Sequence, residues 1–172
     1  MDEAPLLWAL VKFAWLGLVY WLGLGVAVVA HELGHAVMAL LVTRQKVSLQ
    51  VGQPAAGREG SIFTLGRLEL RLSPRRFRYG FTRYDRAAES RARQTWVALA
   101  GPAASLLGCG LLAALATNTL VGSGWWILWL GLFVSHFRIL IVSVWPLEYR
   151  PQGAEGEVWL SDSLDIWRMW RK

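Results

Sequence analysis

A single cysteine, Cys109, stands in the whole chain of 172 residues, so no internal disulfide can form. Its setting in LLGCGLL marks it as a small packing residue. Histidine is nearly as scarce, with three in all: His31, His35 and His136. Basic residues are missing from the start, where MDEAP offers two acids in place of the positive charge that a cleaved signal peptide needs, so the apolar segment behind it is expected to stay. No repeat of solenoid length occurs. Charge is also nearly missing from Ala4 to Val42, where Lys12, His31, Glu32 and His35 are the only side chains that carry or take up charge near neutral pH.

What fills the space is apolar. The chain is 55% hydrophobic with a mean hydropathy of +0.36, above what one soluble core requires. It also holds 11 tryptophans, whose apolar ring and single polar N–H suit the boundary between lipid tails and head groups. A membrane protein is the expectation, with spans at about 15–42, 95–117 and 125–145. The first is taken as one crossing with an interfacial lead-in from Ala4; in the alternative, a bent pair, Gly23 and Gly25 mark the bend, and Lys12 snorkels to the outer surface. The second span, ALAGPAASLLGCGLLAALA, is rich in the small residues that let helices approach closely in lipid.

The formal charge is +6, and 12 of the 18 basic residues fall between Thr43 and Gln94. Because that block lies between apolar spans, it reads as a loop held on the cytoplasmic side near anionic lipid, not as a nucleic-acid surface. Three crossings then place the N-terminus outside and the tail, 146–172, inside. The turn near Gly122 carries no basic residue and the tail ends in Arg168, Arg171 and Lys172, which agrees with that orientation.

Within the loop, VSLQV, SIFTL and the alternation of Leu68, Leu70 and Leu72 with Arg67, Glu69 and Arg71 have strand spacing, with QPAAGREG as the connection. SPRRFRYGFTRYDRAAESRAR reads as a basic, partly aromatic connection on the membrane surface. The fold class is therefore a mainly α-helical polytopic membrane protein. A small β-hairpin or sheet is inserted between its first and second spans, and a short C-terminal helix, re-entrant or interfacial, closes the chain. The whole of 1–172 is expected to form one membrane-embedded domain.

The chemistry concentrates in AHELGH. His31 and His35 are four apart, so on a helix they share a face and can hold one metal ion. Glu32 lies about 100° round the same helix. It flanks the metal as a general base for bound water, the arrangement of H-E-x-x-H metalloproteases. A structural metal or a proton relay uses the same residues. A chance occurrence is disfavoured because each buried ionisable group in lipid is costly unless partnered.

HELGH on a membrane helix, followed by a strand-bearing loop, AGPAASLLG, and a late segment with Ser143-Val144-Trp145-Pro146 and Ser161-Asp162-Ser163, resembles the site-2 protease family of intramembrane zinc metalloproteases. The resemblance implies a Zn2+ cofactor, His31 and His35 as ligands, Glu32 as the base and Asp162 as the third protein ligand. It also implies a transmembrane or membrane-anchored protein as substrate, regulated intramembrane proteolysis, and a bacterial cell membrane as the setting. Ser105 and Ser143 stand where the family tends to have asparagine, and Ser163 where it has glycine after the ligand. Asp165, one turn from Asp162, competes for the third place. On local pattern alone, Ser161 and Asp162 both read as N-caps of a short helix. The metal would lie roughly 10–16 Å from the end of its helix at 1.5 Å per residue, so the tail must return into protein-lined space.

His136 serves as a ligand, as a partner to a ligand, or in a contact between helices. Arg138 snorkels, pairs with a tail carboxylate, or meets substrate. An unwound substrate needs an edge strand to pair with, and Ser61 to Leu72 is the expected edge. The alternative to a protease is a catalytically degenerate metal-binding scaffold or a transport component, for which the serines at 105, 143 and 163 speak.

Overall fold

The computed structural model describes residues 4–52, 61–73, 77–149 and 158–171. Three long helices form the body: α1 (Ala4–Val42), α2 (Arg91–Thr117) and α3 (Gly124–Val144). All three are long and apolar enough to cross a membrane, which makes this an integral membrane protein. The helix of the expected first span begins at Ala4, so the lead-in from Ala4 is helical too, and it runs unbroken through Gly23 and Gly25. Those glycines serve close packing instead. A Cβ on Gly23 would lie 2.7 Å from Ser135 Oγ of α3, and one on Gly25 would collide with the Phe77 ring.

The helices approach through small residues, as lipid-embedded interfaces require. Gly34 of α1 faces the Ala100 carbonyl and Ala104 of α2, and Gly131 of α3 receives Val19 of α1. At the opposite end Trp15 Nε1 donates to Gly124 O at 3.5 Å, so the α2–α3 turn is level with the third turn of α1. The first two turns of α1 project beyond it, with Leu6, Leu7 and Trp8 exposed.

Between α1 and α2 the chain forms a four-stranded sheet in the order β2-β3-β1-β4 from β1 (Val47–Val51), β2 (Ser61–Leu65), β3 (Leu68–Leu72) and β4 (Gly80–Arg83). The expected strands are present, and β1 and β3 pair in parallel with Val47 opposite Leu68. Val47 and Leu49 of β1 are fully buried against Ala36 and Ala39 of α1 and Val97 of α2, so the sheet seats itself on the ends of both helices. Arg67, in the β2–β3 turn, donates to Leu40 O at 2.7 Å and Thr43 O at 2.6 Å, satisfying carbonyls left open at the end of α1.

The stretch expected as a surface connection is different. It contributes β4, a short 3-10 turn at Arg86–Ala88 and the first turn of α2. Before β4 it runs along α1, where Phe77 meets Trp21 edge-on at 5.2 Å. The reason is register: Leu49 and Gln50 of β1 take Thr82 and Phe81 as antiparallel partners, which draws the segment onto the helix. QPAAGREG lies outside the described residues.

In the tail, β5 (Glu148–Tyr149) pairs with β6 (Trp159–Leu160), a second sheet with no counterpart among the expectations. The expected terminal helix is α4 (Asp162–Arg171). Ser161 Oγ caps it, accepting from Leu164 N at 3.4 Å, so Asp162 is released from capping into the first helical turn.

Candidate metal centre

His31 and His35 are both buried on α1 and aim their Nε2 atoms at one point, 3.1 Å apart. Each ring is fixed from behind by α2. His35 Nδ1 donates to the Val97 carbonyl at 2.7 Å, and His31 Nδ1 lies 2.9 Å from Ser105 Oγ. A carbonyl can only accept, so His35 carries a proton on Nδ1, and in its neutral form the ring turns the Nε2 lone pair inward. Gly101 of α2 makes this closeness possible, since a Cβ there would collide with the His35 ring and lie 2.8 Å from His31 Nε2.

Asp162 completes the cluster from α4. Its Oδ2 is 3.2 Å from His31 Nε2 and its Oδ1 is 3.3 Å from His35 Nε2. Burial pushes the Asp162 carboxyl up, but its contacts with the two imidazoles outweigh this and hold it at about 2. When both histidines are neutral they present Nε2 lone pairs to the Asp162 carboxylate, and a cation between them would satisfy all three groups. Four-coordinate zinc with bonds of about 2.0–2.2 Å sets its ligand atoms roughly 3.3 Å apart. The separations of 3.1, 3.2 and 3.3 Å fit that requirement, and the two nitrogens and one carboxylate are a donor set zinc accepts. Among the described residues, His31, His35 and Asp162 form the only such group.

Three contacts hold α4 so that Asp162 reaches this point. Asp165 pairs with Arg86 Nη2 at 2.8 Å, Arg168 with Glu148 of β5, and Trp170 Nε1 donates to Thr95 Oγ1 at 3.0 Å. Asp165 thus faces Arg86 and not the histidines. His136 is also apart from the cluster. Its Nδ1 bonds the Leu132 carbonyl of its own helix at 3.0 Å, and its ring packs on Gly108 of α2, about two turns from Gly101, which makes it a contact between helices.

Glu32 is buried beside the cluster, with Oε2 accepting from Thr82 Oγ1 at 2.9 Å. The same hydroxyl lies 3.1 Å from the Glu32 backbone carbonyl, so β4 is docked on the helix at the carboxylate itself. Thr82 and the orienting role of Ser105 escape the sequence reading. Nothing local marks Thr82, 50 residues from its partner, and Ser105 was visible only as a departure from a family pattern.

A cleft of about 650 Å³ opens in front of His31, Glu32, His35 and Asp162. Its walls are β4 on one side, β6 and α4 on another, and the last turns of α3. No residue of β2 or β3, the expected edge, lines it. The edge beside the carboxylate is β4, the terminal strand of the sheet, whose Phe81 meets Trp159 of β6 at 5.6 Å.

The family model described as Peptidase M50B-like matches residues 4–147. The chain is a member of the site-2 protease family. No curated protein matches it. The matched region takes in α1, the sheet, α2 and α3, contains His31, Glu32 and His35, and ends 15 residues before Asp162. M50 peptidases are in general zinc metalloproteases of membranes, and this M50B-like chain offers them the matching donor set.

Proposed function

We propose that the chain is a zinc-dependent intramembrane endopeptidase, folded as one domain over 1–172, that hydrolyses peptide bonds of transmembrane or membrane-anchored proteins. His31, His35 and Asp162 hold the metal and Glu32 is the general base. The observation that carries the reading is the convergence of three lone-pair donors at zinc spacing with a fourth, non-ligating carboxylate on the cleft side. Zinc bound there supplies Lewis-acid polarisation of a peptide carbonyl and acidifies water toward neutral pH. Glu32 takes the water proton and delivers it to the leaving amine, and no covalent acyl-enzyme forms. Thr82 fixes the carboxylate by donating to one oxygen, leaving the other for the proton. A metal-holding scaffold needs neither Glu32 nor the cleft in front of it.

Substrate enters as an extended strand on β4. Gly52 N–H donates to Tyr79 O at 2.7 Å, so that opposed pair is the hydrogen-bonded kind. Alternation along the ladder then turns the backbone groups of Gly80 and Thr82 to the free edge, beside Glu32. In a Cys109→Ala background, a thiol-reactive transmembrane reporter peptide is captured by a cysteine introduced at Arg83 of β4 and not by one at Phe63 of β2. Capture at Phe63 alone would return the edge to β2. The basic sheet and the tail lie on the cytoplasmic side in this reading.

Ser105→Ala leaves the His31 Nδ1 proton without its acceptor. Zinc affinity falls by about 10–100-fold, the usual cost of losing a hydrogen bond behind a metal-bound histidine, as read by competition with a chromophoric chelator. The function itself is tested by removing metal: cleavage of a labelled transmembrane reporter stops with a chelator and returns with added zinc. Cleavage that continues after metal is removed would overturn the zinc-dependent mechanism, and no cleavage under any metal condition would overturn the peptidase.

A further inference from the structure

Four arginines line the cleft, from four different segments, and among the described residues one of them has a carboxylate to meet. Arg86 takes Asp165. Arg78 lies over the Trp21 ring at 5.4 Å and Arg83 over the Phe81 ring at 4.3 Å, with no acidic partner among the described residues. Arg138 has neither a ring nor an acid among the described residues, although it sits on a membrane-spanning helix. A guanidinium at such a depth is disfavoured unless it faces water or a partner. Arg138 is exposed and lies six residues, about 9 Å, from the C-terminal end of α3. The acids of the cleft are already engaged: Glu32 with Thr82, Asp162 with the histidines and Asp165 with Arg86.

Among the described residues no acid is left to meet Arg138, which leaves it open to a negative charge that enters. We propose that the cleft selects a substrate segment carrying an Asp or Glu close to the scissile bond, with Arg138 as the residue that binds that carboxylate and Arg78 and Arg83 as a surrounding positive field. A guanidinium presents a planar pair of donors that matches a carboxylate. β4 and the last turns of α3 both wall the cleft, so a peptide strand laid on β4 shares it with Arg138. The selectivity rests on the protease reading for its purpose but not for its measurement.

The test is binding, not turnover. Full-length Glu32→Gln protein in phosphatidylcholine nanodiscs is titrated with a short fluorescein-labelled peptide of Ala, Val and Ser carrying one central Asp, and with its Asn twin, by anisotropy. The Asp peptide binds about tenfold or more tightly, as a charge-assisted pair allows. Arg138→Gln abolishes that preference, and Arg138→Lys keeps part of it, both with zinc content unchanged. Equal binding of the two peptides, or a preference that survives Arg138→Gln, overturns the assignment. So does loss of the preference when phosphatidylglycerol replaces part of the lipid, because the site would then belong to a lipid phosphate. Zinc assayed on the same samples separates the two readings: a chain without zinc that still prefers Asp through Arg138 sinks the protease alone.

Discussion

Glu32→Gln lowers cleavage of a transmembrane reporter by about 10²–10⁴-fold, the range contributed by general acid–base catalysis, and leaves zinc in place. Glutamine fills the same volume and its carbonyl still accepts from Thr82, so the docking of β4 on α1 survives. What it loses is the ability to take a proton. Glu32 lies outside the group formed by His31, His35 and Asp162, so its charge is not needed to hold the ion. Turnover of the reporter and zinc content measured on one preparation check both halves. Loss of zinc would make Glu32 a ligand and leave the reaction without its base.

Asp162→Ala has the opposite signature, since it removes an atom placed 3.2 and 3.3 Å from the two imidazole nitrogens. Zinc affinity falls by more than the roughly 10–100-fold that follows loss of a supporting hydrogen bond, and cleavage falls with it. Asp165→Asn gives the contrast. Its partner Arg86 is 45% exposed, so the pair is screened by solvent and contributes at most about 1 kcal/mol to the seating of α4, or about fivefold in affinity. Equilibrium competition with a chromophoric chelator separates the two variants. Similar losses in both would mean that the position of α4 as a whole, not one carboxylate, governs the metal.

The helices and the core of the candidate metal centre were legible because their signals are local. Uninterrupted apolar runs define α1, α2 and α3, and i, i+4 spacing puts His31 and His35 on one face. Leu68, Leu70 and Leu72 announced β3 by alternation, and two of them pack on the buried cluster. β4 was not legible. RYGFTRY has basic and aromatic residues on both faces, because one face meets α1 and the cleft while Arg83 and Phe81 stack on each other. Its identity as a strand depends on pairing with β1, some 30 residues earlier, and such long-range register leaves little trace in a short segment. The tail was half legible. Ser161 and the acidic first turn signalled α4, but the pairing of β5 with β6 rests on two residues from each strand, too few for any period. Gly23 and Gly25 left two readings open: a glycine in a membrane helix signals a bend or a close neighbour alike, and only the packing of Ser135 and Phe77 decides between them.

Elemental analysis of the wild-type protein, purified in detergent without chelators, is the most direct test of a metal held between α1 and α4. About one zinc per chain, lost in His31→Ala, is the expected result. A preparation that contains no zinc, and takes up none when it is supplied, would contradict the metallopeptidase and leave a membrane scaffold.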